Sequence, residues 1–350
     1  MGTRSVRQSN IELLRIVAIF LVMVAHCNGF MAEGHIPSMT DGNVDAVVIC
    51  RNIIASLASI CVVLFVLISG WFSIKPNFKS IVTLWTQVFF IYLYLIGLQY
   101  IVRGGVSVNL FISCFLPFTL GNWFVRAYLI LMIFSPVLNG FAERVSRRGF
   151  QLFLVAFTAA AMIWGCVFAS ASAGFNEGLS PLSLIYVYMV GRYLKLHVQI
   201  GHSKWFYFAG YLFFSLLIFI GRAVDVSWIL SYCNPILVLS AVSLFLFFVK
   251  WDIGHVRIIN WTASSVFAAF IFHTREPIIG WLRDFNVQKL HTLPYIEYLA
   301  LMLVVLVVVF MVAVLMDKLR ALIFKPLIDI ASRIVISTDD NDKLIKIIKK

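Results

Sequence analysis

Ten apolar stretches, each near the length of a membrane-crossing helix and joined by short polar connections, leave this chain little freedom in what it can fold into. They lie at residues 11–30, 46–72, 80–102, 123–140, 150–172, 180–196, 204–221, 226–249, 258–281 and 295–316. Crossing the hydrocarbon core takes ~20 apolar residues as a helix. Inside it, every backbone N–H and C=O must find a partner within the protein. The stretches therefore predict an all-α, polytopic integral membrane bundle of about ten transmembrane helices. Residues 110–120 are apolar but too short to cross, and read as a re-entrant or interfacial piece. Charged residues make up 13% of the 350 and apolar ones 61%, against ~25% charged in an ordinary soluble domain. That balance excludes a soluble enzyme, a nucleic-acid binder, a disordered chain and a secreted disulfide scaffold. A transmembrane domain over 1–320 and a tail over 321–350, amphipathic and then mixed in charge, leave no room for a large aqueous domain. The tail reads as a surface helix near anionic lipid.

The net charge of +12 belongs to topology. With the N-terminus cytoplasmic, twenty Lys and Arg fall in inner segments and four (Arg103, Arg222, Arg283, Lys289) in outer loops. The bias predicts cytoplasmic N- and C-termini. Arg4 and Arg7 ahead of an apolar run resemble a signal peptide, but Arg15 and His26 within that run make it the first helix. The six cysteines (Cys27, Cys50, Cys61, Cys114, Cys166, Cys233) form no CxxC pair. They read as packing or lipid-facing residues, with no disulfide and no metal site. His197 and His202, in a basic inner loop, read as solvated.

Function is written in the charges a bilayer tolerates least, each costing about 2.5–3.5 kcal/mol at a helix centre on insertion scales. These are Glu12, Arg15, His26, Arg51, Arg126, His273, Arg275 and Glu276. Arg15 and His26 are eleven residues apart, which puts them about 20° apart around a helix and roughly 16 Å apart along it. One face of the first helix thus carries a guanidinium near its inner end and an imidazole in its outer half. Snorkelling would explain Arg15 alone; the shared face points into the bundle. His273 stands as deep in the ninth stretch as His26 does in the first, and Arg126 falls near the same level. Pro277 is expected to kink or end the ninth helix, freeing residues 274–276 to line a cavity. Alternatively, Arg275 and Glu276 pair with each other. Arg51, near the outer end of the second stretch, is expected to snorkel outward. Ser69 and Gly70 fit close helix packing or the approach of a ligand to backbone at the level of Arg15. GxSxG, P-loop, GxGxxG and HExxH signatures do not occur.

The arginine, ten residues, then histidine of Arg15–His26 resembles the membrane-bound acyltransferase family 3, whose members O-acylate bacterial surface sugars. Residues 10–18 (Asn-Ile-Glu-Leu-Leu-Arg-Ile-Val-Ala) are similar to that family's opening. The phenylalanine-rich run ending at Ser69-Gly70 is similar to its second block. Trp123-Phe124 with Tyr128, Pro136 and Asn139 is similar to its aromatic fourth-helix block. Phe272-His273 followed by Pro277 is similar to its late histidine motif. The resemblance spans residues 8–320. Sugar-modifying relatives often carry a basic residue and a proline ahead of the phenylalanine run, where Ser59 and Val63 stand here, and a tyrosine where Phe270 stands.

The resemblance implies an O-acyltransferase, with acetyl-CoA or another acyl-CoA as cytoplasmic donor and no metal. The acceptor it implies is a sugar hydroxyl of a polysaccharide or its lipid-linked precursor, at the bacterial inner membrane. His26 is expected to act as general base, with an acyl-imidazole as the variant mechanism. Arg15 is expected to meet the donor beside Ser69 and Gly70. Arg126 or His273 is expected to stabilise the oxyanion, and Trp123, Arg275 and Glu276 to meet acceptor. The expected partners are the sugar acceptor and membrane lipid, with no nucleic acid. Rival readings are a proton-coupled transporter or exporter of an anionic solute, and a non-catalytic partner in polysaccharide assembly.

Overall fold

The computed structural model describes residues 8–40, 42, 44–115, 123–168 and 173–348. The described residues are all-helical, without strands. In chain order the helices are α1 (Ser9–Asn28), α2 (Ala46–Ala58), α3 (Cys61–Phe72), α4 (Phe78–Arg103), α5 (Val108–Phe115), α6 (Trp123–Arg144), α7 (Arg147–Ala160), α8 (Pro181–His197), α9 (Lys204–Ala223), α10 (Pro235–Lys250), α11 (Arg257–Ala263), α12 (Val266–His273), α13 (Ile278–Thr292) and α14 (Tyr295–Ile348). A π-helical segment, Ala161–Val167, continues α7, and a single tight turn, Asn176–Gly178, precedes α8.

Local chemistry sets where these helices begin. Asp45, Ser146, Ser180, Ser203 and Asn234 each accept a first-turn backbone N–H. Asn77 and Ser80 form a reciprocal capping box at α4, satisfying two of the N–H groups a helix start leaves unpaired. Pro181 and Pro235 occupy first helical positions, where the missing N–H costs nothing. Gly104 ends α4 in the left-handed region at φ 70°.

Seven helices among the described residues are long and apolar enough to cross a membrane, with α2 and α3 counted as one and α7 joined to its π segment. The other three expected spans appear in shorter form. α8 has 17 residues and α10 has 16. The ninth is broken at Ser264–Ser265 into α11 and α12, and ends at His273. Three boundaries differ from expectation. The eighth stretch starts at Pro235 because the chain before it folds into successive turns bonded 226→229, 228→231 and 231→234. The second bends at Ser59–Ile60. The last helix runs on without a break past residue 316. Within it Arg320, expected in an inner tail, is buried against Asp317 at 2.7 Å, with Thr86 of α4 at 3.5 Å. Of the short apolar piece at 110–120, residues up to 115 lie in α5 and the rest fall outside the described residues.

Small residues let the helices approach closely, as they must where lipid offers no hydrophobic drive between them. Gly70 of α3 meets Gly191 and Tyr188 of α8 backbone to backbone. Ser215 and Ser240 bond across α9 and α10 at 3.2 Å. The bundle's two ends are tied separately. Asn10 donates to Phe248 O at 2.8 Å, and Ser9 accepts the Val256 N–H at 2.8 Å, at the end where α1 begins. Where α1 finishes, Asn28 and Arg51 exchange side-chain-to-carbonyl bonds at 2.8 and 2.9 Å, and Arg222 donates to Asn52.

Candidate active site

Arg15 and His26 do share one face of α1, and that face looks into the bundle. Arg15 and Val22 line a cavity of about 250 Å³ walled by α1, α3, α4, α6 and α12. Its lining is apolar (Val62, Phe65, Phe124 and Phe270 among others), with Ser69, Gln87 and Tyr128 the polar groups besides Arg15. A second cavity of about 320 Å³ shares Arg15, Ser69, Leu84 and Tyr128 with it and adds Ser73, Lys75 and Ser80. The two adjoin at those four shared residues. Between them they line the bundle from the loop that carries Lys75, past the Arg15 guanidinium, to Val22 and Phe270, each one helical turn short of His26 and His273, which line neither cavity.

The loop at the mouth is held rigidly. Tyr188 accepts the Ile74 N–H at 3.1 Å and donates to Asn139 Oδ1 at 2.6 Å, while Asn139 Nδ2 donates to Ile74 O at 2.9 Å. Ser73 turns the chain there at φ 63°. Arg15 approaches Glu12 at 3.4 Å, and a third of its side chain remains accessible. Ser69 Oγ donates to Phe65 O at 2.9 Å and lies 3.0 Å from the Tyr128 hydroxyl.

At the far end the two histidines meet. His26 Nδ1 lies 2.9 Å from His273 Nε2, and His273 Nδ1 lies 2.7 Å from Ala269 O. A carbonyl can only accept, so His273 Nδ1 carries the proton. His273 is fully buried, where an isolated charge is costly, and as a neutral ring its Nε2 is an acceptor. His26 Nδ1 must then donate, leaving the lone pair of a neutral His26 on Nε2. The carbonyl thus sets one tautomer and through it the other, the logic by which an orienting group prepares a histidine base. Among the described residues no cluster of three or more His, Cys, Asp or Glu could hold a metal ion.

The other expected site residues are dispersed. Arg126 is exposed on α6, about 160° around the helix from Phe124 and Tyr128, and does not line the cavity. Gly70 faces α8, so its smallness serves helix packing. Trp123 stacks on Tyr232 at 6.0 Å between centroids. α12 ends at His273, as Pro277 implied, but Arg275 and Glu276 do not pair. Arg275 sits 5.7 Å from the Tyr92 ring centroid, and Glu276 accepts from Arg103 at 3.1 Å. Arg51 does not snorkel outward. It is 3% exposed, drawn inward by Glu33 and the carbonyls of Asn28 and His35. The cysteines are free, and five of the six are buried. His197 packs on Phe150 and Tyr193, whereas His202 is exposed.

Sequence reasoning passed over Gln87. A buried amide in an otherwise apolar stretch was a signal available in the sequence, since buried polar groups in membranes are costly and serve a purpose.

No curated protein and no solved structure matches the chain. A family model described as an acyltransferase domain matches residues 8–316, nearly its whole length. A cavity-lining guanidinium and, one helical turn beyond, a histidine pair with a fixed tautomer suit that chemistry, and the chain belongs to acyltransferase family 3.

Proposed function

We propose that this membrane acyltransferase moves an acyl group, acetyl in the simplest case, from cytoplasmic acyl-CoA to a hydroxyl of a surface sugar or its lipid-linked precursor. The observation that carries the reading is a pair of adjoining cavities that share Arg15, with Lys75 in the wall of one and Val22 and Phe270, a helical turn short of the His26–His273 pair, in the wall of the other. The CoA phosphates meet Lys75 and Arg15, where charge-assisted bonds to phosphate are strongest. The pantetheine arm extends between Phe65, Phe124 and Phe270. The thioester reaches the histidines in a site poor in water.

His26 Nε2 takes the proton of the acceptor hydroxyl as its oxygen attacks the thioester carbonyl. The carbon–sulfur bond breaks, the ester forms, and the proton passes to the departing thiolate as free CoA. His273 acts as a positioning residue: both of its ring nitrogens are occupied, so it orients His26 and has no N–H left for an oxyanion. We read the chain as ten crossings of a bacterial inner membrane with both termini cytoplasmic; the excess of Lys and Arg in alternate connections supports that orientation, in which the donor mouth faces cytoplasmic acyl-CoA.

Two variants divide these roles. Arg15→Gln raises KM for acyl-CoA about tenfold, the loss of one charge-assisted bond, and leaves KM for the acceptor in place. His273→Ala lowers kcat with either KM little changed and shifts the pH–rate profile, because His26 loses its fixed tautomer. Steady-state kinetics of the purified variants, with each substrate varied in turn, check both. An Arg15→Gln protein with an unaltered donor KM contradicts the assignment of the donor end.

A further inference from the structure

A separate pocket of about 280 Å³ opens at the end of the bundle where α1 finishes, outside the two cavities already described. Its walls come from the π segment after α7, the turn before α8 and the turns between α9 and α10. That end is fixed by contacts already given: Arg222 closes α9 against Asn52, and Asn28 closes α1 against Arg51. Glu177, Trp228, Tyr232, Ser227 and Ser231 line the pocket.

Glu177 is held there at conformational expense. Asn176, Glu177 and Gly178 take φ 44°, 54° and 93° in succession, a left-handed run that side chains other than glycine's disfavour. The Ser231 hydroxyl donates to Glu177 O at 2.9 Å. A Cβ on Gly178 would stand 2.6 Å from the Tyr232 backbone nitrogen, so the two loops are pressed together and only glycine fits. Tyr232, on the pocket wall, stacks on Trp123. Trp123 meets Phe124 at 5.9 Å, Phe124 meets Phe270 at 5.4 Å, and Phe270 meets His273 at 6.2 Å. The pocket and the histidine pair are therefore joined by one line of touching rings.

We propose that this pocket, with Glu177 as its charged group, binds a neutral or amino sugar residue of the acceptor and excludes acidic sugars. The proposal rests on reading the chain as a sugar O-acyltransferase. Trp228 and the hydroxyls of Ser227 and Ser231 are the aromatic surface and placed polar groups that a small polyhydroxylated ring requires of a pocket. Glu177 accepts hydroxyl or ammonium hydrogen bonds and repels a carboxylate or phosphate. No Lys, Arg or His lines the pocket among the described residues, so nothing there would neutralise an acidic sugar.

The test uses the purified full chain with acetyl-CoA and three soluble acceptors: a methyl hexoside, a methyl aminohexoside and a methyl glucuronide. The wild type should acylate the first two in preference to the third. Glu177→Gln should raise their KM about tenfold, hold the acetyl-CoA KM, and raise the glucuronide's rank among the three. A merely structural Glu177 would not reorder acceptors. Unchanged acceptor KM in Glu177→Gln, or equal use of the glucuronide by the wild type, overturns the proposal. Should no soluble acceptor be acylated, the sugar O-acyltransferase reading is decided separately with a sugar-lipid acceptor, and intrinsic tryptophan fluorescence decides the pocket. Saturable quenching by the neutral hexoside that Trp228→Phe abolishes sustains it; no quenching overturns it.

Discussion

His26→Ala abolishes measurable acyl transfer while the protein remains folded and inserted. General base catalysis by a positioned histidine is worth about 10²–10⁴-fold, and here that histidine is prepared by its surroundings. His273 bonds Ala269 O at 2.7 Å and His26 at 2.9 Å, which puts the basic lone pair on His26 Nε2. A variant without the imidazole keeps the cavity, Arg15 and the donor mouth, so acyl-CoA should still bind with an affinity close to that of the wild type. The loss appears in kcat. Donor binding by equilibrium dialysis, single-turnover ester formation and the melting temperature in detergent together separate lost chemistry from lost folding. Transfer by His26→Ala at the wild-type rate would remove the histidine from the mechanism.

Gly70→Ala lowers stability by about 1–3 kcal/mol, the usual cost of forcing an extra methyl into a packed interior. The added Cβ would lie 2.3 Å from Tyr188 O and 3.1 Å from the Gly191 Cα. Backbone cannot yield as a side-chain tip can, so α3 and α8 must separate. Tyr188 also pins Ile74 in the loop that carries Lys75, so the displacement spreads to the donor mouth. The same change at Gly97 of α4 meets nothing within 4 Å and should be neutral or slightly stabilising, since alanine favours a helix over glycine. Thermal unfolding of the two variants in one detergent gives the comparison; equal melting temperatures would show that the α3–α8 contact is looser than described.

These elements differ in how far the sequence announced them. The Arg15–His26 face follows from helical arithmetic on eleven residues, and His273 from equal depth in another apolar stretch, because both depend on spacing within a single helix. Arg51 was misjudged for the opposite reason. Its partners are Glu33 and the backbone carbonyls of Asn28 and His35, and no pattern in a sequence states where a loop's carbonyls will point. Arg126 lies on the exposed face of α6, away from the cavity, because a count of depth along a helix carries no information on rotation around it. Arg275 and Glu276 found Tyr92 and Arg103, residues of α4 that only the packed bundle brings near. Glu177 went unnoticed because its position depends on three left-handed residues and on a loop more than fifty residues away.

Incubating the purified protein with acetyl-labelled acetyl-CoA and a sugar-lipid acceptor tests the central claim most directly, with free thiol and labelled ester both measured. The account predicts thiol release that requires the acceptor, ester formed in equal amount, and loss of both in His26→Ala. Label accumulating inside liposomes with no thiol released would contradict it and make the chain a transporter.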